Sequence, residues 1–173
     1  MAAVLVFIAG YVLHTLLPHH RSDFAPLPDE DRVREAVREL PQGTYLFPYA
    51  ATMEDLKDPE CRQKFKQGPV GTLTIWPTGV GPSGRQLGLQ FVYVLAVTLL
   101  AGYVAGISLP AGTDYLKVFQ VVGTTAWLGH AGALPLHSIW YHTPWSNTVK
   151  SMLDGLVYAL LTAGVFGWLW PAL

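Results

Sequence analysis

Six histidines are the residues of this chain best suited to chemistry: His14, His19, His20, His130, His137 and His142. Imidazole ligates transition metals and haem iron, and it titrates near neutral pH. Under the topology developed below, all six fall in the inner half of a bilayer or at its inner mouth. His130 and His137 are seven residues apart and so share a helical face. If a cofactor is held, His14 on the first apolar run, facing His130 on the third, is the pair that would ligate haem iron, a chlorin magnesium or a transition metal, with His137 on the same face as His130. No HxxxH or ExxH pair and no accompanying Cys reinforces that pairing. The expectation is therefore no cofactor and no dedicated metal set, with haem or chlorin as the alternative. His19, His20, His137 and His142 read as headgroup-facing side chains.

Carboxylates add little. Only Asp114 and Asp154 lie near the apolar runs, at opposite ends of their segments. Asp154 follows Lys150 by four residues, the spacing of a helix-end ion pair. The remaining acids sit among Lys and Arg on hydrophilic segments, as on a solvated face. No Ser/His/Asp set, HExxH motif or nucleophile elbow occurs. The chain is thus expected not to be an enzyme.

These residues must be positioned by membrane helices. Of the 173 residues 51% are hydrophobic and 13% charged, a composition typical of a membrane protein. Four apolar runs stand out: 2–17, 87–109, 118–136 and 149–169. The first is short for a hydrocarbon core of about 30 Å. The third is diluted by Gln120, Thr124, Thr125 and His130, polar groups expected to face another helix or a ligand. The fold class expected is an all-α membrane protein of four transmembrane helices, with a small α+β soluble insertion between helices 1 and 2. Its domains are 1–18 (first helix), 19–86 (insertion) and 87–173 (a three-helix bundle).

Nine of the 11 Lys and Arg lie between Arg21 and Arg85. By the positive-inside rule that connection is cytoplasmic and both termini are periplasmic, in a bacterial inner membrane. The net charge of -1 with no concentrated basic face argues against nucleic acid. A lone Cys61 excludes an internal disulfide. The N-terminus lacks a basic n-region and a small-x-small cleavage site, so it is expected to be a retained anchor.

Within the connection, LPDEDRVREAVRELP predicts an amphipathic helix of about three turns. GTYLFPYA predicts a strand. DPECRQKFKQG predicts a second helix capped by Asp58, with Pro59 in its first turn and Gly68 ending it. GTLTIWP alternates as a strand able to pair with the first. The Gly-rich TGVGPSGRQLG lacks both the GxGxxG order and the P-loop ending, and reads as a flexible re-entry to the membrane.

Two small-residue patterns predict close helix packing. Gly155, Ala159, Ala163 and Gly167 recur every four residues in the last run, and Gly102 with Gly106 forms a GxxxG in the second. Both are expected to be packed upon by partner subunits. Trp140, Tyr141 and Trp145 before the last helix, and Trp168 and Trp170 at its end, read as interfacial aromatic belts.

The segments LLPHHRSDF, KQGPVGTLTIWPTG and SIWYHTPWSNTVKSMLDGLVYALLTAGVFGWLWP together resemble a family of short bacterial membrane proteins with no assigned activity. The likeness covers most of the chain and implies architecture without bringing catalytic residues. The function expected is that of a non-catalytic accessory or assembly subunit. It would pack against other integral membrane subunits and lipid in a photosynthetic reaction centre with its antenna, or in a respiratory complex. The alternatives are a haem-, pigment- or metal-binding protein using His14 and His130, and a small transporter.

Overall fold

The computed structural model describes residues 1–79 and 83–172. The chain divides into two units, Met1–Ala25 with Pro82–Leu173, and Pro26–Gly81. The middle of the Gly-rich re-entry, residues 80–82, lies outside the described residues.

The first unit is a helical bundle. Helix α1 (Ala2–Tyr11) runs on through a π-turn at Val12–Leu16 and a 3-10 segment at Pro18–Asp23. Three further helices complete the bundle core: α4 (Gly84–Ser108), α5 (Tyr115–Ala131) and α7 (Trp145–Leu169). A short helix α6 (Pro135–Tyr141) joins the last two.

Among the described residues, two helices, α4 and α7, are long and apolar enough to cross a membrane. This corrects the expectation of four spans. Helix α1 with its π-turn, Ala2–Leu16, covers roughly 22 Å at about 1.5 Å per residue, short of a core about 30 Å thick. The third apolar run is not one helix: it breaks after Ala131 at Gly132-Ala133-Leu134, and Pro135 starts a new helix where its missing N–H costs nothing. What remains as α5 has 17 residues. Its Gln120 and Thr124 are exposed, whereas the Thr125 hydroxyl donates back to the Val121 carbonyl at 2.8 Å.

Packing sets the directions. Gly102 of α4 faces Phe166 of α7, so these two helices run parallel, and the Trp170 indole N–H donates to the Pro110 carbonyl at 3.0 Å where both end. Helix α5 runs back against them, with Gly123 beside Ala163, Ala131 beside Gly155, and Tyr115 beside Gly167. Helix α1 is antiparallel to α4 and α7: Ala3, Val6 and Val94 are buried with Tyr158, and Phe7 meets Phe91 edge-on at 5.5 Å.

The small-residue stripe of α7 is packed upon by the chain's own α5. Ala163 is fully buried and Ala159 nearly so, in a core with Val97, Ala101, Ala105, Val118, Val122 and Ala126. Short side chains bring backbones close enough for dispersion contacts to accumulate, which is what holds helices together where water supplies no drive. In the GxxxG, Gly102 takes the Phe166 ring while a Cβ on Gly106 would meet nothing within 4 Å.

The second unit holds helix α2 (Glu30–Ala36), strands β1 (Gly43–Phe47) and β2 (Gly71–Ile75), and helix α3 (Pro59–Gln67). The strands pair antiparallel with Tyr45 opposite Leu73. Asp58 caps α3 by accepting from the Cys61 N–H at 2.9 Å, and Gly68 leaves the helix at φ 63°. Helix α2 has seven residues, fewer than its pattern predicts; an i+3 bond from the Leu40 N–H to the Val37 carbonyl replaces the last turn. None of the described residues of this unit is buried.

Gly155→Leu should lower the unfolding midpoint of the detergent-solubilised protein by an amount equivalent to about 1–3 kcal/mol, because a Cβ there already sits 3.0 Å from that of Ala131. Gly106→Leu, with open space around it, should leave the midpoint unchanged or raised. Thermal unfolding followed by circular dichroism distinguishes them, and equal effects at both sites would mean that α5 does not rest on the stripe.

Candidate functional site

One carboxylate organises the end of the bundle where α1 finishes and α7 begins. Asp154 lies nine positions after Trp145, about 13 Å along the helix axis, and its side chain is 6% exposed. A carboxylate so placed must be paired or hydrogen-bonded. Its partners all come from the stretch that follows α1.

Three imidazoles converge on it. His20 Nε2 lies 2.6 Å from Asp154 Oδ2, His19 Nε2 lies 3.2 Å from Oδ1, and His14 Nε2 lies 3.5 Å from Oδ2. The local backbone makes this convergence. In the π-turn the Leu17 N–H bonds to the Val12 carbonyl at 3.1 Å, five residues back, which adds a residue to the turn that carries His14. Pro18 then starts the 3-10 segment that carries His19 and His20. The His14 and His20 rings stack at 4.3 Å and those of His19 and His20 meet at 4.1 Å.

His20 is held on both nitrogens. Its Nδ1 lies 2.5 Å from Asp23 Oδ2 while Nε2 faces Asp154. Carboxylate oxygens on both sides place each ring nitrogen to donate, an arrangement that favours the imidazolium form. Burial disfavours that charge, but the hydrogen bonds to Asp23 and Asp154 outweigh it and raise the His20 pKa above its ordinary value. Asp23 is anchored in turn. Lys150 Nζ donates to Asp23 Oδ1 at 2.7 Å and to Ser22 Oγ at 2.8 Å, and Asn147 Nδ2 donates to the Asp23 carbonyl at 3.1 Å. The Lys150 and His20 hydrogen bonds hold the Asp23 carboxyl below the usual range.

His14, His20 and Asp154 each offer a donor atom, and these atoms lie within 4.8 Å of one another. Two imidazoles and a carboxylate form a set suited to a divalent first-row metal. Asp23 on Nδ1 of His20 is the outer carboxylate that fixes tautomer and orientation in carboxylate–histidine–metal arrangements. Beside His14 opens an apolar groove of about 440 Å³, walled by Val6, Phe7, Tyr11, Leu87, Val94 and Tyr158, with Thr15 and Gln90 also on its lining.

Of the histidines singled out from sequence, His14 belongs to this cluster. His130 does not share it: its ring sits edge-on between Tyr93 and Tyr158, at 5.7 and 5.4 Å, and its buried Nε2 has no hydrogen-bond partner among the described residues. His137 is exposed and stands against Tyr141. The expected pairing of His14 with His130 gives way to a pairing of His14 with His20. His19, His20 and Asp23 were missed as site residues, and the expected Lys150–Asp154 pair does not form because Lys150 turns to Asp23. The signal available was HH five and six residues after His14, with an Asp inside an apolar run.

The Asp23–Lys150 tie should show as coupling of about 0.5–3 kcal/mol in a double-mutant cycle of Asp23→Asn with Lys150→Met, read from unfolding in detergent. Zero coupling would mean that the two side chains do not support each other. Comparison with family models, with curated proteins and with solved structures yields no match to this chain, so the site rests on its own geometry.

Proposed function

We propose that the chain is a metal-binding membrane protein that holds one divalent transition ion, zinc or a close relative, between His14, His20 and Asp154. The observation that carries this reading is the convergence of the donors on a buried carboxylate, with Asp23 already seated behind His20. Donor atoms around a tetrahedral ion with bonds of about 2.0–2.1 Å stand about 3.3 Å apart. The separations of 3.5 Å from His14 and 2.6 Å from His20 to the carboxylate oxygen bracket that value. The ion would take the place of the proton on His20 Nε2, and half-exposed His14 would turn its ring from the stack to meet it. His19 Nε2, on the other carboxylate oxygen, is a further donor within reach.

A metal ion suits these residues better than a haem or chlorin. A macrocycle needs an imidazole facing an open slot. The His14 ring is stacked on His20, and the His130 ring is enclosed between two tyrosines.

A second reading as an accessory subunit of a larger membrane complex keeps support from two places. Gln120 and Thr124 are exposed on α5, and the unit 26–81 buries none of its described residues. Such surfaces favour partners. If that reading holds, Gln120→Leu with Thr124→Leu should release the protein from a larger band on a native gel, whereas unchanged migration speaks against it.

For the metal reading, purified protein stripped with EDTA should bind zinc with unit stoichiometry in a calorimetric titration. His20→Ala or Asp154→Asn should weaken binding by at least roughly 10–100-fold, the loss that even an outer partner of a ligand produces. Asp23→Asn should fall within that range with helicity retained. Wild-type affinity in all three variants, or no stoichiometric binding by the parent, would overturn the assignment.

A further inference from the structure

We infer that the outer face of α5 is a self-association surface, on which a second copy of this chain packs with its own α5 parallel to the first. The inference does not depend on the metal reading. It gives the α5 face of the second reading a definite occupant.

Helix α5 has two unlike sides. Val118, Val122 and Ala126 are buried in the bundle core, whereas Lys117, Gln120 and Thr124 are exposed away from it. Lys117, Gln120, Val121 and Thr124 follow at i, i+3, i+4 and i+7 and line one shallow depression, with Thr125 beside them. Four residues at that spacing form the hole that takes one knob from a facing helix. Between identical parallel helices, the knob offered to this hole is Val121 of the other copy.

The polar groups around the hole are unspent. Thr98, Thr125 and Thr162 return their hydroxyls to a carbonyl of their own helix. Among the described residues the Thr124 hydroxyl makes no such bond, and the Gln120 carboxamide has no partner. Beside α4 and α7, which are long enough to span, an acyl chain satisfies neither group and a second protein helix satisfies both.

Charge complementarity names that helix. Asp114 precedes α5 without bonding its first turn, and Lys117, three residues on, has no acidic partner among the described residues. Copies inserted in one orientation are related by a two-fold axis along the bilayer normal, so each unlike contact is made twice. Asp114 of each copy then meets Lys117 of the other across an axial offset of about 4.5 Å. The Gln120 carboxamides, which donate and accept alike, meet each other. Tyr115 rests on Gly167 near the end of α7, so the charged pairs lie at the end of the bundle, where long side chains reach water. A stripe with both signs and an amide able to play either part is matched by its own two-fold copy.

The purified chain in liposomes provides the test. On a Cys61→Ser background, Val121→Cys should yield a disulfide-linked dimer under mild oxidation, and Leu100→Cys, exposed on α4, should not. Energy transfer between labelled copies, followed as lipid is added, gives the association constant. Gln120→Leu with Thr124→Leu should weaken association roughly tenfold or more, as loss of paired interhelical hydrogen bonds implies. Lys117→Asp should weaken it too, and Asp114→Lys with Lys117→Asp, which exchanges the signs, should restore it, with helicity checked by circular dichroism. Monomers at every dilution, equal cross-linking from Leu100→Cys, or an exchanged pair no better than Lys117→Asp would overturn the inference and leave the metal site standing. A chain monomeric when pure, yet held through α5 by a different protein in a native-gel band, would overturn it in favour of the accessory reading.

Discussion

A carboxylate that sits well inside a helical bundle has to be compensated, and the architecture around Asp154 follows from that demand. The helix bearing it cannot neutralise it, because Lys150 one turn earlier is turned toward Asp23. Compensation comes instead from residues more than 130 positions away in sequence. That single requirement ties α1 to α7, fixes where α1 must stop, and explains the backbone irregularity that follows it. A regular α-helix through Leu16 would carry His14 at ordinary spacing. The wider turn with a 3-10 segment behind it places three imidazoles over one acid.

The bundle behind this site is assembled from small residues and self-satisfied polar ones. Thr98, Thr125 and Thr162 each donate to the carbonyl four residues back, at 2.8–2.9 Å, so their hydroxyls need no partner on another helix. Ser138 and Thr148 share a buried hydrogen bond of 2.6 Å that fastens α6 to the start of α7. His142, at φ 54°, makes the left-handed corner between them, a conformation that histidine adopts more readily than bulky or branched residues. Among the described residues, the buried side-chain polar atom left over is His130 Nε2.

Much of the local structure was legible in the sequence because local signals wrote it. Asp58, Pro59 and Gly68 bracket α3 as their chemistry requires, and the alternation in GTLTI against GTYLF yields an antiparallel pair. The four-residue recurrence from Gly155 to Gly167 identified a close-packing face, but periodicity carries no address for what lies against it; α5 of the same chain does. The length of the third apolar run misled for a related reason. Hydropathy averages over Gly132 and Pro135, where the backbone does not continue. The site itself was the least legible part. Spacing rules relate residues on one element, so they paired Asp154 with Lys150 and set aside His19 and His20 as headgroup-facing. Only the return of α1 alongside α7 brings those residues together.

The far end of the bundle is closed by a smaller device. The Trp170 indole reaches the Pro110 carbonyl, and the Gly112 N–H donates to the Pro171 carbonyl at 2.8 Å, so the loop between α4 and α5 is buckled to the tail of α7. Any tilt of α5 at that end has to carry the tail with it, and any pull on the tail is felt at the α4–α5 corner. Mechanically the opposite ends of the bundle are unlike: one is fastened by backbone carbonyls that keep their form at every pH, the other by side chains that exchange protons.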